Sequence, residues 1–281
     1  MTPFSVLGKT WLEPGQDILT LDRDRIDKDR HADEVLRHSV ASARRLGVVS
    51  VASGVGCSHV ASRLAVLLAH RRGTSVLGVD AGVDRVFTSL TRAARITPQP
   101  ADRSVAFAAR SLHAPVNVNT LDEAAAGIQV GAAGLRVLRP VSLGTFAVTP
   151  ADWYRAVSPV ARYFDVVLTD WGYRRPGVDF EDTLAQDAVV LVCRADRYSL
   201  EVAISVAAAV EARVGCAVCA VDVDGYGRNP AMIAAGWTDL PVFYMPFLPA
   251  PAVPVAPTRA RHCVIDLGAC LMGIATGSAP A

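Results

Sequence analysis

An apolar run at residues 48–51 breaks into Ser53-Gly54-Val55-Gly56, and an amphipathic helix carrying Val60, Leu64, Leu67 and Leu68 follows at once. Strand, glycine loop and helix in that order form the arrangement in which backbone N–H groups and a helix N-terminus cradle phosphates. A working loop of this kind carries lysine after its last glycine, and here Cys57 holds that place. The two lysines of the chain, Lys9 and Lys28, both precede the first strand. Fold signal and chemical signal therefore disagree within six residues, 53–58.

From residue 47 onward strand and helix alternate, the signature of a parallel sheet. Strands are expected at 48–51, 75–79 ending on Asp80, 135–138, 165–169 ending on Asp170, 189–193, 216–221 and 242–245. Helices are expected at 58–69, around 86–94, at 121–126, after a Thr149 cap to 163 with Pro159 as a kink or break, at 199–214 and at 263–276. The proline-rich stretch 246–257 reads as a surface crossing. Ahead of the sheet, residues 1–16 read as an extended arm, and the densely charged 21–45 as a helix with sparse apolar points. The domain division is thus 1–46, an N-terminal arm and charged helix, and 47–281.

A length of 281 residues suits one large α/β domain with an appendage, or two small domains. Hydrophobic residues make up 51% and aromatics 6%, which supplies an aliphatic core. A net charge of +1 gives no reason to expect nucleic acid or an anionic membrane as partner. No basic start leads into an apolar run, which argues against a secretory signal. No apolar stretch reaches the roughly 18 residues of a membrane span. Cysteines 57, 193, 216, 219, 263 and 270 lie mostly in apolar segments, as expected of free thiols in a reducing cytoplasm.

The loop keeps Gly54, Val55 and Gly56, so its backbone can curl around an anion, and Ser58 stands where a hydroxyl could ligate magnesium. A charge-assisted hydrogen bond is worth about 1.5–3 kcal/mol, so each lost lysine contact weakens nucleotide affinity roughly ten- to a hundredfold. A vestigial loop, a weak nucleotide or anion site, and a hydrolytic site all stay open. Asp80 and Asp170 end the hydrophobic strands VLGVD and VVLTD. Carboxylates at neighbouring strand ends converge on the ligand crevice, where they could place magnesium and a water, or simply cap loops. Cys216 and Cys219 are spaced like a metal or redox pair, but positions three apart in a strand face opposite sides. Cys57 at a helix N-terminus is placed for a lowered pKa, with His59 as the local base. Arg174-Arg175 and Arg259 with Arg261 read as solvated loop arginines.

Residues 48–84, VVSVASGVGCSHVASRLAVLLAHRRGTSVLGVDAGVD, resemble the deviant Walker A ATPases of the MinD/ParA class (the SIMIBI group), which read VVSxKGGVGKTTxxxxLAxxLAxxGxxVLxxDxD. YFDVVLTDWG and AVVLVCRADRYSLEVA are similar to later segments of that class. Residues 148–172 resemble the EspI-like branch associated with type VII (ESX) secretion in actinobacteria. The resemblance implies a doubly wound, mostly parallel α/β sheet with flanking helices. It also marks departures: Ala52 and Cys57 replace the two lysines, Ser53 a glycine, His59 a threonine and Gly82 the second aspartate. The asparagine that meets adenine in the class falls near Ala220.

These departures imply a pseudo-ATPase whose Gly54, Val55, Gly56, Cys57, Ser58, Asp80 and Asp170 form a vestigial or weak nucleotide site, with no catalytic or metal-ligating residue. No cofactor is expected; the alternative is weak ATP with magnesium. The expected role is a scaffold or regulator in the cytoplasm, peripheral to a secretion complex, partnered as a homodimer or with a related ATPase or secretion component. One alternative is a nucleotide switch that takes its cation from an arginine, with Arg45, Arg63 and Arg85 nearby, or from a partner's lysine. The other is a partition or positioning protein.

Overall fold

The computed structural model describes residues 18–82, 89–94, 118–125, 128–139, 148–176, 180, 185–225, 237–246 and 258–278. The expected arm at 1–16 and most of the proline-rich crossing lie outside the described residues, as does Arg85.

Eight strands form one sheet, β1 (Arg44–Ser50), β2 (Val76–Asp80), β3 (Gln129–Val130), β4 (Arg136–Leu138), β5 (Val166–Tyr173), β6 (Ala188–Arg194), β7 (Gly215–Val221) and β8 (Val242–Met245). Their order is β3-β4-β2-β5-β1-β6-β7-β8. All neighbours pair in parallel except β3, which runs antiparallel to β4 at one edge. The inner strands are near-continuous apolar runs because helices cover both faces: every residue of β2 is buried, and β6 is buried from Ala188 to Cys193.

The helices are α1 (Ile18–Arg37), α2 (Cys57–Arg72), α3 (Ser89–Ala93), α4 (Leu121–Ala125), α5 (Pro150–Ala161), α6 (Arg197–Glu211) and α7 (Thr258–Thr276). Residues of α1, α2 and α7 share one core with Val48, Leu168 and Val190 of the sheet. Residues of α5 and α6 share a second core with Val49, Val167 and Leu191, which point the other way. Alternation along each strand thus divides one sheet between two apolar layers. Each fully buried leucine or valine contributes about 1.5–3 kcal/mol.

Local chemistry explains most boundaries. Thr149 caps α5 by accepting from the Asp152 N–H at 3.2 Å, with Pro150 in the first turn. Asp196 caps α6 by accepting from the Ser199 N–H at 2.8 Å. Pro159 does not break α5; it sits in the last turn, and the helix ends at Ala161. β1 starts four residues earlier than its apolar run suggests, because Arg44 and Arg45 pair with Val166 and Val167 at the start of β5. Gly47 stays bare for a packing reason: a Cβ there would lie 3.1 Å from Gln186 Cγ and 3.5 Å from Trp171 Cδ1. α7 begins at Thr258, five residues before its expected start.

The charged helix α1 lies over α2 and α7. Leu36 is fully buried, and Arg25 forks onto Asp266 at 3.0 and 3.1 Å. Arg71 Nε stands 2.9 Å from Asp33, and Arg72 donates to the carbonyls of Leu36 and His38 at 2.7 and 2.9 Å. All six cysteines are free and buried. Cys216 and Cys219 point into opposite cores, as their spacing requires.

Candidate functional site at the strand ends

The carboxyl ends of β1, β2 and β5 meet beneath the glycine loop. Gly54 has φ +75° and Gly56 φ +91°, the left-handed turns that curl the backbone into the N-terminus of α2. The Val55 side chain is buried between them, so the loop is pinned as well as curled. A Cβ on Gly56 would stand 3.2 Å from Val221 Cγ1, which fixes the loop against β7. The first turn of α2 carries no acidic residue and no side-chain cap.

Cys57 does not point where a phosphate lysine would. Its side chain is buried, and Sγ lies 3.7 Å from Asp170 Oδ1 and 3.7 Å from the Gly172 carbonyl. The lowered pKa expected from the helix N-terminus is overturned. Burial, then the Asp170 charge, push the thiol well above its ordinary value. Desolvation outweighs the helix dipole here. His59 is held below its usual pKa by burial and by Arg63, and its Nε2 has no hydrogen-bond partner among the described residues. The pair therefore lacks both an activated thiol and a base in contact with it.

Asp170 is 1% exposed. Burial raises its pKa, against hydrogen bonds from Ser58, from the Gly172 N–H at 3.0 Å and from Cys57, and against the nearby Arg174 charge. A register shift at Val48/Val49 skips Trp171, a bulge in the β1–β5 ladder beside the loop. It leaves Asp170 under the loop while Trp171 packs into the opposite core. There the Trp171 ring lies 5.9 Å from that of Trp153, whose Nε1 donates to Thr169 Oγ1 at 3.1 Å.

Asp80 faces Asp170 directly in the β2–β5 register, so the two aspartates converge as the sequence suggested. Asp80 is 8% exposed and ion-paired with Arg139, Nε to Oδ2 3.6 Å. Gly82 and Gly172 let two backbones meet above the pair: a Cβ on Gly172, which has φ +64°, would lie 3.4 Å from Gly82 Cα.

Two expectations about neighbouring residues need correction. Arg174 is not a solvated loop arginine. It is 3% exposed, donates to the carbonyls of Ala81 and Val148 at 3.0 Å each, and stacks 5.3 Å from the Trp171 ring. Arg175, Arg259 and Arg261 are exposed. Arg45 is no substitute cation: it starts β1, at the end of the sheet away from the loop, and its guanidinium donates to Ala185. Ala220 is fully buried inside β7, and the polar residue at that strand end is Asp222. Asp222 accepts from the Gly225 N–H at 2.8 Å and the Tyr244 hydroxyl at 3.1 Å, and with burial it helps push Tyr244 up to about 12. Arg139 is a cation that sequence reading missed, and Arg174 one that it placed in solvent. Their only signal is position, one residue past β4 and four past Asp170.

Among the described residues no group of three or more His, Cys, Asp or Glu side chains is placed to hold a metal ion. No helix among them is long and apolar enough to cross a membrane.

No protein-family model matches the sequence, and no curated protein does. Solved structures do share its fold. The cell-division ATPase MinD of Pyrococcus furiosus superposes with a TM-score of 0.60 at 18% identity, over 84% of this chain and 100% of that one. A ParA-family ATPase from Chlorobium tepidum gives 0.54 at 14%, over 81% and 98%. A chain of the Aquifex aeolicus MinC:MinD cell division protein complex gives 0.53 at 14%, over 84% and 95%. At such identities the likeness is one of fold: a parallel sheet flanked by helices, as in the MinD/ParA P-loop ATPases.

Proposed function

We propose that this protein is a catalytically inactive MinD/ParA-like pseudo-ATPase that works as a scaffold or regulatory subunit through protein contacts. The state of its two strand-end carboxylates carries the reading. Magnesium needs oxygen ligands open to it, usually one or two carboxylates together with phosphate and water. Asp170 instead spends its lone pairs inside the fold on Ser58, Cys57 and the Gly172 N–H. Asp80 is engaged by Arg139. The charge that a metal would neutralise already faces arginine, and the residue after Gly56 offers a buried thiol in place of a cation. Magnesium nucleotide does not fit this set of residues. Gly54, Val55, Gly56, Cys57, Ser58, Asp80 and Asp170 are then a vestigial site, kept as part of the fold.

The resemblance of residues 148–172 to EspI-like proteins supports a place beside a type VII secretion complex, cytoplasmic and peripheral to the membrane. The partner would be a second copy, a related ATPase or a secretion component. The MinC:MinD complex is a precedent for partner binding on this fold. Calorimetry with ATP and magnesium tests the proposal: saturable binding tighter than about 10 µM, near −7 kcal/mol, would sink it.

The Ser58–Asp170 hydrogen bond and the curled loop favour a second reading, a nucleotide switch with a lysine-free loop. Magnesium-dependent ATP turnover that disappears in Asp170→Ala would establish it.

A further inference from the structure

We infer that α1 is a detachable strap, docked over a groove between α2 and α7, that opens as a unit while the sheet stays folded. This goes beyond the proposed function and does not depend on it.

Between residues 24 and 37 the apolar anchor of α1 is small. Among its side chains from 24 to 37, only Ala32 and Leu36 are buried, Val35 packs partly, and Ile26 is 55% exposed. α7, the other wall of the groove, buries apolar side chains along its whole length, from Ala260 to Ala275. Among the described residues no strand ladder ties α1 to the sheet.

Charge supplies the rest of the grip. Arg25 forks onto Asp266 with side chains 28% and 18% exposed, and Arg71 meets Asp33 at 27% and 34%. Pairs this open to water are screened by salt. Arg72 is different. Its side chain is 3% exposed and holds the carbonyls of Leu36, in the last turn, and His38, just past the helix end, together with Asp165 at the foot of β5. The C-terminal end of α1 is therefore held more tightly than the Arg25 end, which lets go first when the helix undocks.

Gly268 leaves a notch in α7, where a Cβ would lie 3.1 Å from Leu67 Cδ2, 3.3 Å from Leu36 Cδ2 and 3.5 Å from Leu64 Cδ2. Opening bares the Leu64 and Leu67 side of α2, the helix whose N-terminus carries the glycine loop. α1 is the chain's own cover for that apolar face.

Hydrogen exchange of the full-length protein, followed by mass spectrometry in low and in molar salt, tests the strap. In low salt, peptides spanning 24–37 should be protected, yet exchange at least about a hundredfold faster than those of β1, β5 and β6. Molar salt should speed α1 several-fold, by screening pairs of this exposure, and leave the sheet alone. Asp266→Asn should do the same, and the sheet's own exchange shows whether that variant folds. Exchange of α1 in step with the sheet overturns the inference. So does an α1 unprotected even in low salt, or one indifferent to both salt and Asp266→Asn.

Discussion

Alanine at Gly56 forces a side chain onto a backbone at φ +91°, the residue that opens α2. The left-handed turn costs a non-glycine residue about 1–2 kcal/mol. The new Cβ also lands 3.2 Å from Val221 Cγ1, and Val221 is itself packed at 6% exposure, so the neighbour must shift. Overpacking of this kind adds about 1 kcal/mol, for a total of roughly 2–3 kcal/mol. At about 2–4 °C per kcal/mol for a domain of this size, the melting temperature should fall by roughly 5–10 °C. Gly54→Ala is the matched control. It has φ +75° with nothing within 4 Å of the added Cβ, so only the backbone cost of about 1–2 kcal/mol applies. Thermal and urea melts of the two variants measure the difference, which is the Val221 contact. In Gly56→Ala/Val221→Ala the two changes should partly cancel, with a coupling of about 1 kcal/mol. A Gly56→Ala protein that melts with the wild type, or a Gly54→Ala protein that is the worse of the two, would refute the account of the loop as a fold element wedged against β7.

Asp170→Asn should melt above the wild type at neutral pH, because burial raises the folded-state pKa of this carboxyl above its unfolded value. A raised acid contributes stability that is fully present below the unfolded pKa and is lost as pH rises through the folded one, so the gap between variant and wild type should close on acidification. A gap that widens on acidification contradicts the direction of the shift. The Cys57 thiol, driven up by burial and Asp170, should resist alkylation in the native protein and react only on unfolding. Cys57→Ser should then leave the native alkylation rate unchanged, and a drop in that rate would count against it. Gln186→Leu removes a 6%-exposed amide whose Oε1 and Nε2 both lack hydrogen-bond partners among the described residues. It should be neutral or stabilising by up to about 2 kcal/mol in a urea melt, and clear destabilisation would show that the amide is satisfied.

The sheet was legible because its strands are buried on both faces, so each reads as an apolar run ending in a polar residue, as VLGVD and VVLTD do. Thr149-Pro150 announced α5 through its cap. The two-residue β3 had no such signal, being too short for any period to register. The first residues of β1 were hidden because Arg44 and Arg45 earn their place by ladder pairing rather than by hydrophobicity. At the site, the convergence of Asp80 and Asp170 followed from the parallel fold, but their partners did not. Arg139 and Arg174 reach the site from segments past β4 and β5, and an arginine bound for a buried carbonyl spells the same as one bound for water. Cys57 was misread for a similar reason. Sequence places it at a positive helix end, and only packing shows the sulfur turned inward onto a carboxylate.

The bulge at Trp171 turns the sheet into an optical relay. Asp170 and Trp171 are chain neighbours on opposite faces, and the indole sits tilted at 33° against that of Trp153. Two rings so close couple their excited states, and the arginine cation over Trp171 shifts its transition. Cys57 and Ser58 hydrogen-bond to Asp170, so a partner or ligand that pulls the loop pulls on the neighbour of one chromophore of the pair. Near-ultraviolet circular dichroism of the unlabelled protein can therefore watch the loop from the far side of the sheet.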